Sequence, residues 1–342
     1  MGLELLMLGN TPVKQLAAQA RFAEGCGFDA VWIADERFYR EVYSCLTHVA
    51  LATSRVRVGP CVTDPFARHP ALTAMAIATL DEISDGRAVL GLGAGVSGFA
   101  ELGIQANKPP RALRESIALI RALLRGEQVD VRGEVISFCD GHLSFKPIRV
   151  DIPIVVASNG PLGQRAAGAV ADGAIMEACG SVAEVLALRA QVERGALSAG
   201  RDGRSVRLTA RLNACVAADG KMARDVVRPT VARLLGRGSL KLATAEAEGL
   251  TLPAAATAPM ANAAYALGVQ PYLPLLPLIT DGHVDAFTLA GTRQEVTAHI
   301  IELRRAGIDS IIVRPLAGDT VPVEATIEAL GEIWSDVVTA TA

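Results

Sequence analysis

Two adjacent carboxylates, Asp35 and Glu36, follow the apolar run AVWIA at residues 30–34. Such a run reads as a buried strand, and two successive side chains beyond its end point to opposite sides and cannot both face the core. At least one carboxylate therefore opens at the C-terminal end of a strand, where it can hold or pass a proton. The bland alternative is a solvated loop in which Glu36 pairs with Arg37 or Arg40. Glu177, Arg211 and Arg314 end three later apolar runs in the same way. They suit substrate contacts and suit a mutual ion-paired set equally well. The polar loop TDPFARHP at residues 63–70 adds Asp64, Arg68 and His69. Asp64 and His69 are candidates for touching a cofactor or substrate. Asp64 also fits a turn cap beside Pro65, and Arg68 and His69 fit a cap or brace for the helix that follows.

Two glycine-containing turns complete the chemically suggestive set. Gly93-Ala94-Gly95 follows the strand-like RAVLGL, and glycines there let backbone approach a flat ring or a sugar-like chain closely. Ser158-Asn159-Gly160-Pro161-Leu162-Gly163 joins an apolar run to a helix, whose free N–H groups and positive dipole end make a phosphate cradle. Plain N-capping by Ser158 or Asn159 is the competing explanation. The six cysteines lack C-x-x-C spacing and the five histidines lack metal-binding spacing, so reduced thiols and no metal centre are expected. No lysine ends an expected strand, which argues against Schiff-base chemistry of the aldolase kind.

The elements that must position these residues follow from periodicity. Residues 56–95 read strand, polar loop, helix opened by Pro70, tight turn Ser84-Asp85-Gly86, strand and glycine loop, which is one βαβ unit of a parallel sheet. Strands are expected at 3–9, 30–34, 56–63, 88–93, 154–157, 173–177, 206–214 and 308–314. Helices are expected at 12–24, 44–53, 112–125, 162–170, 182–199, 222–235, 292–306 and 323–334. Residues 129–145 alternate and carry glycine turns, so a hairpin is inserted at about 129–150. The Ala-, Pro- and Leu-rich stretch from about 240 to 285 reads as an insertion, a lid or an oligomer contact. Eight strands alternating with helices count out an α/β fold, a (β/α)8 TIM barrel with insertions, ahead of a doubly wound sheet. With 342 residues and no low-complexity linker, a single domain over 1–342 is expected. A net charge of −3 argues against a nucleic-acid partner, and no run approaches 18 apolar residues, so no membrane span is expected. MGLELLMLGN lacks a basic leader and reads as a first strand, which suits a cytoplasmic protein.

VGPCVTDPFARHPALTAMAIATLDEISDGRAVLGLGAG resembles the bacterial luciferase-like superfamily of flavin and deazaflavin oxidoreductases, on the branch of the methylenetetrahydromethanopterin reductases. GFDAVWIADERF at 27–38, IPIVVASNGPLGQRAAGAVADGAI at 152–175 and VDAFTLAGT at 284–292 carry the same resemblance. It implies a TIM barrel that binds coenzyme F420, or FMN, at the C-terminal mouth. It implies that Asp35 hydrogen-bonds the cofactor ring, that a non-prolyl cis peptide at Cys61-Val62 backs that ring, and that the 158–163 loop takes the cofactor phosphate. Relatives often carry a catalytic histidine where this chain has Glu36, and some carry a glutamate after the 93–95 turn where this chain has Val96-Ser97. Glu36 is therefore the expected acid, with Asp35 beside it; His69, Glu177, Arg211 and Arg314 are the expected substrate contacts. The activity implied is F420-dependent hydride transfer to or from a small-molecule substrate. An FMN-dependent monooxygenase fed by a separate flavin reductase, and a cofactor-binding protein without turnover, are the alternatives. A homodimer is expected from the same resemblance.

Overall fold

The computed structural model describes residues 2–238 and 240–340. In chain order the elements are β1 (Gly2–Leu8), α1 (Val13–Gly25), β2 (Ala30–Ala34), α2 (Val42–Ala52), β3 (Arg57–Pro60), α3 (Pro70–Ile83), β4 (Leu90–Gly93) and α4 (Phe99–Leu102). Next come α5 (Pro109–Leu124), β5 (Val129–Arg132), β6 (Ser137–Gly141), β7 (Ile154–Ala157), α6 (Pro161–Val170), β8 (Gly173–Glu177), α7 (Val182–Ser198) and β9 (Arg207–Val216). The remainder is α8 (Gly220–Gly236), α9 (Leu240–Ala247), α10 (Ala254–Thr257), α11 (Asp281–Phe287), β10 (Thr288–Gly291), α12 (Arg293–Arg305), β11 (Ser310–Pro315) and α13 (Val323–Ala340).

The chain forms two compact units. One comprises Gly2–Met176 and Leu188–Thr209; the other comprises Glu177–Ala187 and the chain from Ala210 onward. In the first, parallel strands pair in sequence order. β1 runs beside β2 from Glu4↔Ala30 to Leu8↔Ala34, and β2 beside β3 from Ala30↔Arg57 to Ile33↔Pro60. β3 meets β4 through the bridges Val58↔Ala88 and Thr63↔Leu92, β4 pairs with β7, and β7 with β8. β2 and β4 are buried along their whole length, as parallel strands covered by helices must be. Small residues let the helices sit close: α1 buries Leu16, Ala17, Ala20 and Ala23 on one stripe.

The expected third strand, 56–63, is shorter in the structure. Pro60 has no N–H to give to a ladder, and β3 ends there. Cys61 N still donates to Ile33 O of β2 (2.9 Å), the Cys61–Val62 peptide is cis, and on the β4 side pairing resumes at Thr63, whose N–H donates to Gly91 O (3.0 Å) and whose carbonyl accepts from Gly93 N (2.9 Å). The hairpin expected at 129–150 is present as antiparallel β5–β6. It is held to α5 by Glu115, whose carboxylate accepts from the backbone N–H groups of Glu134 (3.0 Å), Val135 (3.0 Å) and Ile136 (2.9 Å), and from Arg111 Nε (2.7 Å). Burial pushes this carboxyl up, but those donors outweigh it and hold the pKa at about 2. Because the folded value lies below the ordinary 4.5, the stabilisation is present above 4.5 and fades as pH falls toward 2. Glu115→Ala is expected to cost about 2–4 kcal/mol at pH 7, the worth of one or two charge-assisted hydrogen bonds. Urea midpoints of the two proteins should converge near pH 2; a gap that persists there would refute this role.

In the second unit β10 runs parallel to β9, from Thr288↔Asn213 to Gly291↔Val216. The reading of the sequence missed β10, because four residues, TLAG, carry no alternation to read. The segment around 249–282 is built of α10, three 3-10 turns and the start of α11. Its prolines forbid a regular helix, and QPYLPLLPL at Gln270–Leu278 winds as 3-10 helix instead. Tyr272, Leu275 and Ile279 are buried with Val227, Val231 and Leu235 of α8, so this apolar stretch is core of its own unit.

Candidate active site

The first unit gathers the expected cofactor residues at the C-terminal ends of β2, β3, β4 and β7. Asp35 follows β2 and its side chain is only 10 % exposed. Oδ1 is held by Arg37 Nη1 at 2.8 Å, whereas Oδ2 is buried with no hydrogen-bond partner. Burial pushes the Asp35 carboxyl above its usual range; the opposing charge of Arg37, the nearby Thr63 hydroxyl and the charge of Arg68 do not cancel that, and Asp64 adds to it. Glu36 is half-buried on the same turn, and its carbonyl accepts from Tyr39 N at 3.0 Å. The alternative pairing of Glu36 with Arg37 or Arg40 has to share both arginines. Arg37 also reaches Asp64 Oδ2 (2.6 Å), and Arg40 donates to the carbonyls of Gly9 (3.1 Å) and Asn10 (2.9 Å).

Cys61, Val62, Gly93, Ala94 and Gly95 come together. A Cβ on Gly93 would lie 2.5 Å from Val62 Cγ2, so that close fit needs glycine. Gly95 adopts φ +67° and a Cβ there would meet Asp64 Cβ at 2.7 Å and Phe99 at 2.6 Å. Asp64 itself caps its turn as one reading of the loop expects, accepting from Phe66 N (2.9 Å) and Ala67 N (2.7 Å). Behind this group Tyr43 on α2 is buried with its hydroxyl unpartnered, and burial raises its pKa. Arg68 lies 5.0 Å over the Tyr43 ring and bonds Glu41 Oε1 at 2.8 Å, so it braces α2, the helix before its loop, instead of the helix after it as expected.

After β7, Ser158 shapes the turn into α6. Its Oγ accepts from Gly160 N (3.2 Å) and donates to Gly160 O (3.1 Å), while Gln164 Nε2 donates to Ser158 O (3.3 Å). No side chain caps α6, whose N-cap is Gly160; Asn159 is half-buried, Pro161 and Leu162 are exposed, and Gly163 is buried. A Cβ on Gly163 would sit 2.2 Å from Ser158 Oγ, so the turn is fitted to glycine. The first-turn amides of Leu162 and Gly163 are thus left for an anion.

His69 takes the capping role that was the alternative to a substrate contact. Its Nδ1 accepts from Ala71 N at 3.2 Å as the cap of α3, which leaves Nε2 to donate to Ser137 O at 3.0 Å. Both ring nitrogens are engaged, and the residue ties the hairpin to α3. In the second unit Glu177 Oε1 and Arg211 Nη1 pair at 2.8 Å, the ion-paired alternative, and Arg314 sits half-buried near the end of β11. Arg37, Thr63 and Ser97 were not singled out from sequence as site residues. Among the described residues no cluster of three His, Cys, Asp or Glu side chains could hold a metal ion, and no helix is long and apolar enough to cross a membrane.

Parallel strands in sequence order, a helix after each, and polar turns gathered at one strand end define a barrel-type α/β enzyme. The structure of the coenzyme F420-dependent tetrahydromethanopterin reductase from Methanopyrus kandleri superposes with a TM-score of 0.85 and 26 % identity over 97 % of both chains. The fold is accordingly the (β/α)8 barrel with insertions. The sequence model described as luciferase-like monooxygenase matches residues 5–310, and the chain belongs to that family as one of its enzymes. The 5,10-methylenetetrahydromethanopterin reductase of Methanolobus tindarius is 36 % identical over 305 residues, covering 89 % of this chain and 90 % of the relative. That of Archaeoglobus fulgidus is 35 % identical over 300 residues, covering 87 % and 88 %.

Proposed function

We propose that this protein is an F420-dependent oxidoreductase that moves a hydride between the deazaflavin and an organic substrate. The observation that carries the reading is Asp35: a buried carboxyl whose Oδ2 has no hydrogen-bond partner, at the same strand ends as Val62 and Gly93–Gly95. A bare buried acceptor is costly unless a ligand satisfies it. A flavin or deazaflavin ring offers both N–H donors and carbonyl acceptors, so it can satisfy that oxygen as carboxylate or as acid, and both cofactors carry a phosphate suited to the amides of α6. The residues therefore fit the group, and the relatives of matching length favour F420 over FMN. When bound, F420 supplies the hydride chemistry, and the protein supplies orientation and electrostatics. Asp35 is assigned the proton at Oδ2, because its carboxyl is buried with that oxygen unpartnered and burial raises its pKa above the usual range. Val62 and the glycine run exclude water and side chains from one face. Ser158, Gly160 and the α6 amides anchor the phosphate. Methylenetetrahydromethanopterin, for which the relatives are named, is the first substrate to assay.

Side-by-side fluorescence titration with F420 and FMN tests this. F420 binding at micromolar concentration or below, with FMN far weaker, is expected. Preference for FMN would replace the reading with a two-component monooxygenase, and binding of neither would end it.

We also propose a homodimer through α2 and α3. Neither helix carries a charged residue between 42 and 80, yet Leu51, Leu72 and Met75 are exposed. Such a charge-free apolar face suits a second copy of itself. Sedimentation should give twice the chain mass for the wild type and a monomer for Leu51→Glu/Met75→Glu; a monomeric wild type would overturn this.

A further inference from the structure

We propose that Arg37 is the positioning residue of this site: one guanidinium grips Asp35 Oδ1 and Asp64 Oδ2 together and so keeps Asp35 Oδ2 free for a ligand proton. This rests on the reading of Asp35 given above. The geometry is over-determined. Nη1 donates to the Asp35 carbonyl (2.7 Å) and lies 2.8 Å from Asp35 Oδ1 as an ion pair, and Nη2 donates to Asp64 Oδ2 (2.6 Å). The far carboxylate cannot swing, because Asp64 Oδ1 is committed to Phe66 N and Ala67 N. The Arg37 backbone is clamped as well. Ser97 Oγ accepts from Arg37 N (3.0 Å) and donates to Arg37 O (3.3 Å). Gly98 lies so close that a Cβ there would be 2.4 Å from Arg37 Cβ. One side chain, 15 % exposed, therefore joins the loops that follow β2, β3 and β4.

A planar fork can hold two carboxylates and a carbonyl at once; a lysine ammonium on a flexible stem cannot keep that geometry. The charged and titratable groups around Asp35 are Arg37 on its own loop, Asp64 and Arg68 from the loop after β3, and Tyr43 from α2. Arg37 exerts the largest pull toward ionisation. Without it, burial and Asp64 face only the weaker pulls of Arg68 and the Thr63 hydroxyl, so Asp35 should keep its proton to higher pH. An arginine acting by charge alone would be replaced in that titration and in turnover by Arg37→Lys, whereas a positioning fork would not.

The test uses the full chain without cofactor, labelled with 13C at aspartate carboxyls, with the Asp35 resonance identified by its loss in Asp35→Asn. The midpoint of Asp35 is expected to rise by about one pH unit or more in Arg37→Met, with a smaller rise in Arg37→Lys. If Arg37→Met does not fold, Arg37→Lys and Ser97→Ala, which loosens the clamp, must each show an upward shift. In the loaded enzyme kcat should fall more than tenfold in Arg37→Met while substrate KM changes far less. An unmoved midpoint in a folded Arg37 variant, or an Arg37→Lys protein identical to wild type in midpoint and kcat, overturns the proposal. The titration involves no cofactor, so a shifted midpoint in a chain that binds neither F420 nor FMN would sink the functional reading and leave Arg37's role standing.

Discussion

Asparagine at position 35 is expected to lower turnover by about 10²–10⁴-fold, the usual worth of a positioned acid or base, with the fold intact. The change is nearly isosteric and keeps an oxygen for Arg37, but it removes the exchangeable carboxyl proton and the charge. Stability should move the other way from activity as pH rises. The folded Asp35 carboxyl titrates above its ordinary value of 3.8, chiefly through burial. Below 3.8 both folded and unfolded chains are protonated there, and the group costs nothing. As pH climbs past 3.8 the unfolded chain ionises first, so the wild type loses stability until the folded carboxyl also ionises. Asparagine has no such loss. Relative to wild type, Asp35→Asn should therefore be more stable at pH 7 than at pH 3.5 when urea midpoints are compared. Activity within about threefold of wild type would show that Asp35 does not carry the proton, and would return the role to Glu36.

The strands that end at the site were legible because each is a short apolar run closed by a turn signal. β2, β7 and β8 match expectation residue for residue: AVWIA, IVVA and GAIME are each preceded by aspartate or proline. Helix ends were less legible: α5 starts three residues early on Pro109, α2 and α8 start two residues early, and α13 runs six residues past the expected 334. What sequence did not carry were pairings across loops. Arg37 looked like a partner for its neighbour Glu36, because nothing in one dimension brings Asp64 or Ser97, 27 and 60 residues away, against it. His69 stayed open between a substrate contact and a helix cap for the same reason: its second nitrogen is taken by a carbonyl 68 residues later. The choice between Asp35 and Glu36 likewise depends on which carboxylate the fold buries. That is set by the turn after β2 and not by residue type.

The other large effect lies in the second unit, at a buried ion pair no spacing rule could suggest. Lys241 Nζ on α9 and Glu184 Oε1 on α7 meet at 2.5 Å, each side chain 1 % exposed, and Nζ also donates to Ala178 O at 3.2 Å. Burial drives the Glu184 carboxyl upward and Lys241 opposes it, so the carboxylate depends on its partner. Lys241→Met should cost about 3–5 kcal/mol in urea unfolding, because it strands a buried acid. Replacing both, as Glu184→Leu/Lys241→Met, should recover most of that loss, since apolar packing substitutes well for a desolvated pair. Recovery should stop short of a gain. The Ala178 carbonyl then loses its donor, and Ala178 holds φ +52°, a left-handed conformation that Lys241 helps fix just past β8. A single variant that costs less than about 1 kcal/mol would mean that water reaches the pair. A double variant as unstable as the single would instead mean that the Ala178 contact, and not the charge pairing, is what α9 contributes to this unit.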